Sequence, residues 1–164
     1  GKRVCMLKAL ELKVPPLLLV LIYMLLMYFI STLNFWGGEI KSFISFTPSK
    51  TVAAILVLIG VIIIVSGAIS FRIAKTTVNP TKPEDTSSIV DTGIYKFTRN
   101  PMYLGMLLLL IGFAVFIGSW LALIVSFTFV SYINQFQIKP EERMLVKLFA
   151  DDYINYQKRA KRWI

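Results

Sequence analysis

The 164-residue sequence predicts an all-α integral membrane protein: four transmembrane helices, the last two a helical hairpin, then a C-terminal amphipathic cytoplasmic helix. Three observations predict it. Hydrophobic residues make up 56% of the chain and charged ones 16%, more apolar surface than a soluble domain of this length could bury. The apolar residues fall in four runs, 14–33, 51–74, 101–117 and 120–136. Threading four crossings puts all but Lys41 and Lys50 of the 18 basic residues on one side, which the positive-inside rule makes cytoplasmic. Both termini fall on that side, and the length suits one domain, 1–164.

Taken in order, a short basic lead-in precedes Pro15-Pro16, which open the first run because first-turn N–H groups have no intrahelical partner. That run is uncharged, spans about 30 Å as a helix, and is too long for a signal-peptide core, so a permanent span is expected. Residues 34–50 form a loop whose Phe35, Trp36, Phe43 and Phe46 suit the interfacial aromatic belt. The second run ends near Arg72, and its Gly60 and Gly67, seven apart on one face, either permit close helix approach or reflect the ordinary use of glycine in membrane helices. Residues 75–100 carry Asn79-Pro80 and Lys82-Pro83, turn chemistry. Pro101 starts the third helix, Gly118-Ser119 turn the chain, and Trp120 starts the fourth. Pro140 begins a last helix to about residue 161, with Leu145, Leu148, Phe149, Tyr153 and Tyr156 at helical spacing and charged residues opposite.

Composition narrows the chemistry. A net charge of +9 would suggest nucleic acid in a soluble protein; here it points to membrane lipids as partners and no nucleic acid. There is no histidine, and Cys5 is the only cysteine, so Ser-His-Asp hydrolysis and histidine- or cysteine-ligated metal sites are excluded and no metal is expected. Carboxylates, tyrosines, amides, Arg and Lys remain.

These converge in two places, within 77–105 and 134–164. Arg99-Asn100-Pro101 stands at a helix N-terminus, where free N–H groups and a fixed cation suit an anionic ligand group. Tyr95 and Tyr103 offer aromatic faces. The plainer account makes Arg99 and Tyr103 interface anchors and Asn100 an N-cap. Glu141 and Glu142 either stabilise the first turn of their helix or turn a carboxylate inward for an amino group or sulfonium. Asn134, Gln135 and Gln137 favour the latter, since amides ending an apolar helix need polar partners. The set fits S-adenosylmethionine beside a membrane-dissolved, lipid-like acceptor. The expected catalytic residues are Glu142 and Arg99, Glu142 before Glu141 as amino-group ligand. The expected cofactor set is Tyr95, Asn100, Pro101, Tyr103, Leu104, Gln135, Glu141 and Glu142.

The residues Gly93-x-Tyr95-x3-Arg99-Asn100-Pro101-x-Tyr103-x-Gly105, then Glu141-Glu142-x2-Leu145-x3-Phe149-x3-Tyr153-x2-Tyr156 and Arg162-Trp163-Ile164, resemble the isoprenylcysteine carboxyl methyltransferase and phospholipid methyltransferase superfamily. The resemblance covers residues 77–164 and implies S-adenosylmethionine bound by the loop before the third span, the end of the fourth and the final helix, with the acceptor arriving from the bilayer. Asn100 stands where many members have His, and Ala150 where Gly often follows the Phe. The compact form looks like bacterial or archaeal members, which implies a prokaryotic inner or plasma membrane. Two rival readings are a non-catalytic membrane assembly protein and a sterol-reductase-like NADPH enzyme, though the chain has no Gly-rich dinucleotide fingerprint.

Overall fold

The structure, a computed structural model, describes residues 11–32, 45–76 and 87–164. Among these it has six α-helices and no sheet: α1 (Pro16–Thr32), α2 (Lys50–Ile73), α3 (Pro101–Ile117), α4 (Trp120–Ile133), α5 (Lys139–Phe149) and α6 (Asp151–Arg159). The aromatic-belt residues Phe35, Trp36 and Phe43 and the Asn79-Pro80 and Lys82-Pro83 turns lie outside the described residues.

Local chemistry sets the boundaries. Ser49 caps α2 by accepting from the Val52 N–H, and Ser119 caps α4 by accepting from the Ala122 N–H. Pro101 is the first residue of α3, where its missing N–H costs nothing. Gly118 closes α3 with φ +73°, and a Cβ there would stand 2.5 Å from the Phe46 carbonyl, so the turn needs glycine on both counts. The segment ahead of α2 seals this end: Phe46 N–H donates to the Gly118 carbonyl, and the Phe46 ring lies 4.8 Å from Trp120.

The α2–α3 contact is a glycine crossing. A Cβ on Gly60 would be 2.8 Å from the Gly105 carbonyl, and one on Gly105 would be 2.6 Å from the Gly60 carbonyl. Gly67 meets Met102 and Pro101, and Gly112 meets Val57, so the helices run antiparallel with backbones nearly touching. α1 lies along α4, where Tyr23 bonds Thr128 and meets Phe129 edge-on. Met27, Leu110, Ala114, Ala122, Phe129 and Ile133 fill the centre. The outer faces are apolar too: Leu25 is 71% and Ile62 55% exposed. A helix apolar all round, with its large side chains outward, is built for lipid or for further protein.

Among the described residues two helical stretches are long and apolar enough to cross a membrane, Lys50–Ile73 and the continuous Trp120–Phe149; Pro16–Thr32 and Pro101–Ile117 are shorter apolar helices of 17 residues each. The second stretch corrects the expectation that Pro140 opens a separate helix. A π-turn over Asn134–Ile138, with Lys139 N–H bonded to the Asn134 carbonyl, joins α4 to α5. The wider turn makes room for Pro140, which can donate no N–H. At about 1.5 Å per residue a helix of this length is longer than a bilayer core of about 30 Å, long enough for its polar end, past Ile138, to reach beyond such a core.

The expected single last helix is instead two. Ala150 breaks it, with φ +45° and ψ −121°. That break resets the helical phase: Tyr153, Tyr156 and Ala160 form a small core with Ile89, Leu145, Val146 and Phe149, while Leu148 is turned outward. This backbone region is costly for an L-residue and open to glycine. Ala150→Gly is expected to stabilise the protein by about 1 kcal/mol, raising the detergent-state melting temperature by about 2–4 °C; an unchanged or lower midpoint would show that α5 and α6 relax around alanine.

Candidate functional site

The site forms where α3 begins, where α5 leaves the π-turn, and where residues 160–163 fold back across both. Gly93 at φ +59°, its position against Ser70 Oγ too tight for a side chain, starts a 3₁₀ turn, Gly93–Lys96, that buries Tyr95 against Phe71. The chain then runs beside the later segment: Arg99 N–H donates to the Lys161 carbonyl at 2.8 Å and Lys161 N–H to the Phe97 carbonyl at 3.4 Å. Two patches 40 residues apart in sequence are thereby brought together.

Arg99 is the junction. One guanidinium nitrogen, Nη1, donates to the Gln157 and Ala160 carbonyls, capping the C-terminal end of α6. The other, Nη2, donates to Glu142 Oε1 at 2.9 Å, with both side chains about one-tenth exposed. Among the described residues its buried Nε has no hydrogen-bond partner. Arg162 completes the cluster, its Nε on Glu142 Oε1 at 3.1 Å and Nη2 on Oε2 at 2.7 Å. Burial alone would raise the Glu142 carboxyl, but hydrogen bonds from Arg162 and Arg99 outweigh it and hold it below the usual carboxylate range.

Glu141 has a different environment, though it is the adjacent residue. Its Oε1 accepts from Tyr103 Oη at 2.6 Å and from Gln137 Nε2 at 2.7 Å, both neutral donors. Among the described residues Oε2 has no partner, and no cation pairs with this carboxylate. Burial pushes its carboxyl up to about 7, against the lowering effect of the two hydrogen bonds and with a further rise from Glu142. Burial also raises the phenols of Tyr95, Tyr153 and Tyr156, so these remain protonated donors: Tyr156 Oη gives its proton to the Tyr95 carbonyl at 2.8 Å.

A pH dependence follows. A carboxyl raised from 4.5 to about 7 adds stability that is fully present below pH 4.5 and is lost as pH rises through 7. The loss is expected to be about 2–3 kcal/mol. Melting temperature should therefore fall between pH 5 and pH 8 and fall much less in Glu141→Gln; parallel pH profiles in the two proteins would contradict the assignment.

The remaining expected residues fall as follows. Asn100 precedes α3 but makes no side-chain cap; its Nδ2 donates to the Arg162 carbonyl at 2.9 Å. Pro101 is fully buried, against Gly67. Leu104 is half-buried on α3 and adds apolar wall only. Gln135 stands apart, holding Lys139 Nζ at 3.0 Å on the exposed side. Gln137, 3% exposed, occupies the inward position instead, and Asn134 receives the Trp163 indole N–H at 3.0 Å. The four-residue spacing of Gln137 and Glu141 was a signal for that pairing. Nothing local pointed to Arg162, which lies 20 residues beyond its partner.

The family profile for phospholipid methyltransferases matches residues 48–152. An uncharacterized protein of Haemophilus influenzae is 40% identical over 63 residues, 38% of this chain and the whole of that protein. The protein-S-isoprenylcysteine O-methyltransferase of Saccharomyces cerevisiae is 28% identical over 109 residues, covering 62% of this chain and 46% of the yeast protein. That of Xenopus laevis is 25% identical over 143 residues, 79% of this chain and 49% of the frog protein. The chain thus spans about half the length of these two enzymes. The profile match runs from the start of α2 through α5 and includes Arg99, Tyr103, Glu141 and Glu142, while α1, most of α6 and Arg162 lie outside it; the chain belongs to the phospholipid methyltransferase family, within the superfamily that includes the isoprenylcysteine enzymes.

Proposed function

We propose that this protein transfers a methyl group from S-adenosylmethionine to a lipid-like acceptor dissolved in the bilayer, of isoprenylcysteine-carboxylate or phospholipid-amine type. In this reading all four apolar helices cross a prokaryotic inner or plasma membrane, and the site faces the cytoplasm. The observation that carries it is the unequal glutamate pair: Glu142 is neutralised by two arginines, whereas among the described residues Glu141 meets neutral donors and has one oxygen without a partner.

The residues fit the group. An amino-acid moiety with a sulfonium calls for a carboxylate facing positive charge and a donor facing its own carboxylate; Glu141 Oε2 offers the first and the orphaned Arg99 Nε the second. When bound, the cofactor supplies a methyl group already activated on a positively charged sulfur. Tyr103 and Gln137 orient Glu141, and Glu142 with Arg162 braces Arg99. Glu141 therefore takes the amino-group or sulfonium role in preference to Glu142. Pro101, Leu104 and Tyr95 supply apolar wall that excludes water, which serves an in-line displacement governed by positioning and desolvation.

Calorimetric titration of the detergent-solubilised protein with S-adenosylhomocysteine tests this. Saturable binding is expected, weakened about tenfold or more in Glu141→Gln, as for loss of a hydrogen bond to a charged group. Absence of heat at millimolar ligand would end the proposal.

A further inference from the structure

A second feature lies on the outward side of α5. Lys139, Arg143 and Lys147 recur every four residues, about 6 Å apart along one face, and all three are exposed. They line one side of an open groove of about 550 Å³, with Val146 along it, Glu142 behind and Gln157 of α6 opposite. We propose that this groove holds the phosphodiester of an anionic phospholipid headgroup.

Charge is the first argument. Of the carboxylates at the groove, Glu142 is bound by Arg99 and Arg162, and Glu11 pairs with Arg143. Among the described residues, Lys139 donates only to the neutral Gln135 amide and Lys147 has no ion-pair partner. The groove is therefore cationic with no carboxylate left uncommitted. Chemistry is the second: two flexible ammonium groups flanking the Arg143–Glu11 pair suit a phosphate, and the Val146 side suits the glycerol beneath it. Depth is the third, and it rests on the membrane reading above. Because α4 runs into α5 without interruption, Lys139 is the first charged residue after the apolar run from Trp120, which in that reading puts it at the level of lipid phosphates.

The test uses the full chain in nanodiscs of phosphatidylcholine alone or doped with phosphatidylglycerol, with native mass spectrometry of the lipids retained on extraction. Phosphatidylglycerol should be retained selectively. The double variant Lys139→Gln/Lys147→Gln, which keeps the Arg143–Glu11 pair, should lower that selectivity by about fivefold per lysine, about 20- to 30-fold in all. Lys139→Arg/Lys147→Arg should restore it, and Lys158→Gln/Lys161→Gln, which removes equal charge elsewhere, should leave it unchanged. Equal loss in the latter pair would reduce the effect to net charge and overturn the groove, as would displacement of the lipid by millimolar inorganic phosphate. Incorporation into neutral nanodiscs without headgroup preference would sink the groove alone, whereas failure to incorporate would sink the membrane reading with it.

Discussion

Arg99→Ala is expected to destabilise the protein by about 3–5 kcal/mol, the range for removing one partner of a buried ion pair. The change leaves Glu142 with Arg162 as its one cation and strips the Gln157 and Ala160 carbonyls of their donor at the end of α6. It also loosens the contact that ties the start of α3 to α5. For a chain of this size the loss corresponds to a fall in melting temperature of about 10 °C. Arg99→Lys should fall between: an ammonium keeps the charge on Glu142 but cannot at the same time span the two carbonyls. Arg162→Ala should cost less, because its side chain is 39% exposed against 10% for Arg99. Equal melting temperatures for Arg99→Ala and the parent would mean that the network does not hold these elements together.

Gly105→Ile should do comparable damage by another route. Even the first carbon of a side chain at this position would lie 2.6 Å from both the Gly60 carbonyl oxygen and Ile64 Cγ1. Neither can step aside without moving α2, because one is backbone and the other is packed on the same helix. Forcing the helices apart opens the densest contact in the bundle and shifts Arg99 and Tyr103, which sit at the head of α3. A cost of about 3 kcal/mol or more is expected, the upper end for overpacking. Gly105→Ala should be milder, and adding Gly60→Ala to it should cost less than the sum, since the first change already separates the backbones. Full expression and an unshifted melting curve for Gly105→Ile would show that α2 and α3 do not cross at these glycines.

Much of the architecture was legible because the signals were local. Pro101 and Gly118-Ser119 bracket α3, and the glycines of α2 mark its packed face. The phase of the later helices was not, for two reasons. The π-turn inserts an extra residue into the helical ladder, so the inward amide is Gln137 and not Gln135, and no periodicity in the apolar run announces it. The break at Ala150 carries neither Gly nor Pro; only the acidic pair Asp151-Asp152, suited to a new helix N-terminus, hints at it. The site was half legible. Arg99, Tyr103 and the glutamates announced themselves by type and position. Which glutamate pairs with arginine depends on Arg162, and adjacent helix positions about 100° apart meet different neighbours.

The cross-link between Glu142 and Arg162 also bears on how the protein is made. Glu142 is translated before Arg162, 20 residues later, a delay of one to a few seconds at about 5–20 residues per second. During that interval Arg99 is the carboxylate's one counter-charge, and the strand that lies beside Thr98 and Arg99 has not yet been synthesised. The helices of the bundle are thus synthesised before the arginine that closes their polar mouth.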